Sequence, residues 1–150
     1  MAGQNPNPIN LILEELSKNG KKFEYILDKI IKAGVSIVNN TEELKEELIG
    51  FDDIYQTCIF DVNLSYWLEV SHGKLHYEKG VNPQALFKMI FSKDLFIKIL
   101  KDEIGGADAF MKGKIKVEGS LSQGLRYIKL FRTFFKYLSK KNGLNHLTSI

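Results

Sequence analysis

The sequence predicts an α+β domain, and three observations predict it. Apolar residues recur at helical spacing through the first fifty positions, short β-branched and aromatic runs follow between residues 54 and 78, and a long amphipathic pattern starts after residue 120. Helices segregated from a run of consecutive strands define that class.

The elements follow in order. A short apolar pattern spans Ile9 to Leu16. Phe23, Ile26, Leu27, Ile30, Ile31, Val35 and Val38 then recur at i, i+3, i+4, which predicts an amphipathic helix from about Lys21. Asn40 followed by Glu43 reads as an N-cap with a back-reaching partner, opening a helix over Thr41–Ile49 that Gly50 closes. Ile54–Val62, Tyr66–Val70 and Lys74–Glu78 are strand-like and separated by turn residues, an antiparallel meander. Residues 83–92 are apolar on all sides, so periodicity alone leaves them open between a buried strand and a helix beginning at Pro83.

Ser92 with Asp94 opens a helix whose Leu95, Phe96, Ile99 and Leu100 share a face, and Gly105-Gly106 breaks the pattern after Ile104. Ala107–Met111 forms another helical turn, ended by Gly113. Lys114–Glu118 alternates as a strand with Ile115 and Val117 turned inward. Ser120 with Gln123 is a capping box for the final helix. There Leu121, Leu125, Ile128, Phe131, Phe134, Phe135 and Leu138 take one side, and Arg126, Lys129, Arg132, Lys136 and Lys140 the other. From Asn142 the chain is a polar tail.

Composition narrows the function. At 150 residues, 44% hydrophobic and 26% charged, the chain is the size of one globular domain. A net charge of +3 is too small to imply nucleic acid, and the aromatic residues of the basic C-terminal third lie on the packing side of its helix, not interleaved with its bases. The lone Cys58 is expected to be a small buried hydrophobe in a reducing compartment. With no secretory pattern at the start, no apolar run of about 20 residues and no Ser-Lys-Leu ending, the expected location is the cytoplasm.

No recognised catalytic carrier stands out. The three histidines, His72, His76 and His146, have no zinc-like spacing to Cys or acidic residues, and are expected to be exposed. GxGxxG, GxxxxGK[ST] and GxSxG are missing. Asp52, Asp53 and Asp61 sit at strand ends, where carboxylates are expected to stay wet. The expectation is a non-catalytic protein without cofactor or metal.

One stretch is more specific. Ala109, Phe110, Gly113, Lys114, Ile115, Val117 and Gly119 fall in the order of the A-F-x-x-G-K-(apolar)-x-(apolar)-x-G signature, so the segment resembles type-two sterol carrier protein domains. Upstream, Trp67–Leu75 resembles that family's second and third strands, and residues 91–96 its fourth strand entering a helix; Leu86 stands where the family commonly has a polar residue. The resemblance covers Thr41 to Leu138. It implies a helical extension over residues 1–40, a lipid-binding domain over 41–138 and a tail over 139–150. It makes the apolar run before Ser92 a strand.

The resemblance also implies a five-stranded, largely antiparallel sheet covered on one face by helices, with an apolar tunnel between that takes a sterol, fatty acid, acyl-CoA or isoprenoid unchanged. The expected lining is Phe87, Met89, Phe91, Leu95, Phe96, Ile99, Phe110, Met111, Ile115, Leu125, Ile128, Phe131 and Phe135. Sheltering a ligand of about fifteen carbons at about 0.8 kcal/mol each gives about 12 kcal/mol gross, enough for micromolar to nanomolar binding after ordering losses. Arg126, Lys129, Arg132 and Lys136 are the expected docking bases for an anionic membrane surface during transfer. The alternative is an accessory or scaffold domain, or a dimerisation domain, serving enzymes of lipid or isoprenoid metabolism. The expected assembly is a monomer or homodimer.

Overall fold

The computed structural model describes Glu14 and residues 20–101 and 103–140, without the side chains of 20, 21, 131, 132 and 135–140. The patterns at Ile9–Leu16 and beyond Asn142 therefore fall outside the described residues.

Helix α1, Gly20–Asn39, buries the stripe the sequence sets out, with Phe23, Leu27, Ile30, Ile31 and Val38 in the core. Helix α2, Glu42–Glu47, begins differently from the expected capping box: Thr41 is its N-cap without a side-chain bond, while Asn40 Nδ2 donates back to the Ser36 carbonyl at 2.8 Å. The preceding helix takes the side chain that would have capped the next.

Strands β1 (Asp53–Ile59), β2 (Leu64–Ser71) and β3 (Lys74–Lys79) form the expected antiparallel meander. β1 stops three residues early because Phe60–Val62 turn as a 3₁₀ helix into left-handed Asn63. The ambiguous run is a strand, β4 (Phe87–Phe91); Asn82 accepts from Gln84 and Ala85 in a turn that delays its start. Helices α3 (Lys93–Leu100, capped by Ser92) and α4 (Gly106–Met111) follow. β5 is only Lys116–Glu118, since the Lys114 amide still bonds Ala109 at the end of α4. Helix α5, Leu121–Lys140, opens on the predicted box, Ser120 Oγ and Gln123 Oε1 each accepting the other's backbone N–H.

The sheet order is β3-β2-β1-β4-β5, antiparallel except for the parallel β1–β4 pair. Strand period two sends Tyr55, Thr57 and Ile59, Tyr66, Leu68 and Val70, and Phe87, Met89 and Phe91 to one face, and all are buried beneath helices. The opposite face is open. On it Trp67, Ile54 and Ile90 are half-buried, and so is Cys58, with Sγ 3.3 Å from Ser65 Oγ; a cysteine on the open face is not the buried hydrophobe expected. His72 and His76 are exposed, as expected.

Two polar side chains hold the connections. Gln56, 2% exposed, donates to the Tyr66 and Gly80 carbonyls and accepts from the Asn82 amide, pinning the β3–β4 connection. Asn39 bonds both the N–H and C=O of Leu75, ending α1 on the edge strand β3. At the other edge Gly119 has φ +111°, and a Cβ there would stand 2.7 Å from the Leu86 carbonyl oxygen, so the turn favours glycine on both counts. Leu86 itself is 82% exposed, so its side chain adds nothing to the core.

Candidate functional site

The site is built where α5 lies on the inner sheet face. Gly124 is the point of closest approach: a Cβ there would stand 3.1 Å from the Phe87 ring. One turn on, Tyr127 lies parallel to Tyr55 with ring centroids 4.8 Å apart, and Phe87 meets both edge-on. The Tyr127 hydroxyl donates to Tyr66 at 3.1 Å and shares a short hydrogen bond with Thr57. Burial pushes the Tyr66 hydroxyl up to about 12 and Tyr127 well above its ordinary value, so the cluster is uncharged at neutral pH.

The expected lining residues separate into groups. Phe87, Met89, Phe91, Leu95, Phe96 and Ile115 are buried in one continuous core, Phe91 stacked on Phe96. Ile99 and Ile128 are half-buried against it, and Phe110 is half-buried. Two expectations are corrected. Met111 is 81% exposed, because α4 buries the face carrying Gly106 and Ala109 and Met111 lies on the other side. Leu125 is 43% exposed beside Leu121, because α5 is rotated to put Gly124, Tyr127 and Phe134 against the core. The side chains of Phe131 and Phe135 are outside the described residues.

Asp53 overturns another expectation. Its side chain is only 8% exposed, and it accepts hydrogen bonds from Tyr55 at 2.8 Å, Gln123 at 3.1 Å and Arg126 at 3.1 and 3.3 Å. Burial alone pushes this carboxyl up, but the bonds from Arg126, Tyr55 and Gln123 and the Arg126 charge outweigh it and hold Asp53 below the usual carboxylate range. Arg126, which also lies over the Phe51 ring, is therefore an anchor of α5 and not a free docking base. Lys129 is exposed, and the Arg132 and Lys136 side chains are outside the described residues.

A depressed carboxylate contributes stability above its unfolded pKa that is lost as pH falls through the folded one. Asp53→Asn is expected to cost about 2 kcal/mol at pH 7, leaving the Arg126 charge without its partner. The difference from wild type is expected to shrink as pH falls from about 4, where the unfolded carboxyl takes up its proton, through the lower folded pKa of Asp53, where the folded protein loses the charge too. Urea unfolding between pH 2.5 and 7 checks this; a pH-independent difference would contradict it.

Two apolar clefts flank α5 on its α1 side. One, about 30 Å³, is bounded by Ile30, Ile31, Leu68 and Leu75; the other, about 20 Å³, by Leu44, Leu48 and Phe51 with Glu47, Lys129 and Thr133. Val38, Leu130 and Phe134 line both. Among the described residues no cluster of His, Cys, Asp and Glu is arranged to hold a metal, and no helix is long and apolar enough to cross a membrane.

The model of the SCP-2 sterol transfer family matches residues 35–132. No curated protein sequence matches the chain. Among solved structures, sterol carrier protein 2 from Yarrowia lipolytica, in its apo form, is similar at 18% identity and TM-score 0.57, over 69% of this chain and 84% of that one. The UbiJ-SCP2 ubiquinone synthesis protein is similar at 13% identity and TM-score 0.53, over 67% and 86%. The sec-alkylsulfatase Pisa1 from Pseudomonas sp. is similar at 20% identity and TM-score 0.53 over 57% of this chain, which spans only 14% of that enzyme. At these identities the likenesses show the fold: a five-stranded mixed sheet with helices.

Proposed function

This chain belongs to the SCP-2 sterol transfer family, and we propose from that premise that it binds a lipid without changing it, between the inner sheet face and the helices over it. The observation that carries this reading is the chemistry of that layer. It is aromatic and aliphatic throughout, and its buried hydroxyls at Thr57, Tyr66 and Tyr127 bond one another and stay neutral. Such a layer recognises apolar area, and the buried carboxylates beside it, Asp28 and Asp53, are each held by hydrogen bonds, from Tyr77 and from Tyr55, Gln123 and Arg126. Titration with a fluorescent fatty acid or sterol analogue tests it: saturable, competable binding at micromolar or tighter affinity is expected, and its absence would sink the reading.

Transfer between membranes is the finer proposal, with Lys129 as the described docking base. One base near an anionic surface contributes about 1 kcal/mol, so Lys129→Glu, which reverses the charge, is expected to slow transfer about tenfold or more to anionic vesicles. Stopped-flow transfer at low and high salt checks it, since the difference is expected to vanish as salt screens the surface. Transfer indifferent to membrane charge would leave Lys129 as ordinary surface.

A second reading, a scaffold for enzymes of lipid or isoprenoid metabolism, is supported by the likeness to the ubiquinone synthesis protein. A scaffold is expected to purify ligand-free with partner proteins, and a carrier to purify with lipid.

A further inference from the structure

Phe134 is 7% exposed, and its ring lies directly over Gly34 of α1: a Cβ on Gly34 would stand 2.8 Å from the ring tip. The same ring lines both clefts, together with Val38 and Leu130, and is the largest side chain the two share. At about 30 and 20 Å³ each cleft has room for a water molecule or two and not for a lipid chain. The first is walled almost wholly by carbon, and the second opens at a rim carrying one cation, one anion and one hydroxyl, on Lys129, Glu47 and Thr133. Lys129, Glu47 and Thr133 all border this second cleft.

We propose that the two clefts are halves of one site for a single alkyl chain with an uncharged, hydrogen-bonding head. The chain enters past the rim when the Phe134 ring swings off Gly34, and the head is seated between Lys129, Glu47 and Thr133. A hydroxyl head accepts from Lys129 and donates to Glu47, leaving neither charge unpaired. A carboxylate head is attracted by Lys129 but repelled by Glu47, and an ammonium head the reverse, so neither recovers the hydration it loses, and the rim selects against net charge of either sign. This inference rests on the lipid-binding reading and names a ligand class and a place for it.

The test uses the whole chain and three probes of equal length: decanol, decanoate and decylamine. By calorimetry decanol is expected to bind tightest. Glu47→Gln is expected to improve decanoate relative to decanol by about fivefold, and Lys129→Gln to improve decylamine relative to decanol similarly, the effect of one exposed like-charge contact. In wild-type protein, methyl NMR is expected to show decanol shifting Ile30 and Leu75 in one cleft and Leu44 and Leu48 in the other together. Decanol bound with shifts only around Met89, Leu95 and Ile115, or head-group preferences unmoved by both substitutions, would overturn the site while leaving lipid binding standing. Failure of all three probes and of longer-chain lipids to bind would overturn both.

Discussion

Phe87→Ala is expected to lower the stability of the domain by about 3–5 kcal/mol, the usual cost of truncating a buried phenylalanine. The cost should sit at the upper end, because the surroundings cannot collapse. Phe87 is wholly buried on a central strand bonded on both sides, so the floor under it is fixed. Above it, Gly124 has no side chain to fall into the space, and Tyr55 and Tyr127 are held by hydrogen bonds at their far ends. In a chain of this size the loss corresponds to a fall of about 10 °C in Tm. Calorimetry checks it, and a change under about 1 kcal/mol would show that α5 settles onto the sheet without this contact.

The second large effect concerns α1. Leu27→Asp with Ile31→Asp is expected to abolish the cooperative unfolding transition, because each places a carboxylate at a site 2–4% exposed with no basic partner provided. Over the inner face of β2 and β3, α1 supplies Ile30 and Ile31 against Leu68 and Leu75, the Asp28–Tyr77 hydrogen bond and the Asn39 pairing with Leu75. Tyr25→Asp with Lys29→Asp, on the exposed side of the same helix, is the control and is expected to leave the transition cooperative. A cooperative transition in the first variant would mean that α1 is an appendage to a domain complete without it.

An element is legible in the sequence where its local pattern and its tertiary burial agree. The stripe from Phe23 to Val38, the capping box of Ser120 and Gln123, and the alternation through β2 each have one physical solution, and the structure adopts it. The run before Ser92 has two, and only the resemblance to a family resolved it as strand. The errors lie where the deciding partner is distant in the chain. Asp53 reads as a wet strand end until Arg126 and Gln123, some seventy residues later, arrive over it. Tyr127 stands outside the aliphatic and phenylalanine pattern around it, and its hydroxyl finds its buried partners on β1 and β2, some sixty to seventy residues earlier. A signal was available: Gly124 three residues before Tyr127 places a gap and a large ring on one helix face, which orients α5 better than counting apolar residues does. The same rotation carries Leu125 out of the expected lining.

The central claim is that the layer between sheet and helices takes up a lipid. Native mass spectrometry of the full chain, purified without detergent and incubated with mixed phospholipid and sterol vesicles, tests it most directly. The account predicts a population heavier by the mass of one lipid molecule, lost when the protein is unfolded and reduced by excess competing lipid. A spectrum holding the ligand-free mass alone, from protein shown by circular dichroism to be folded, would contradict it.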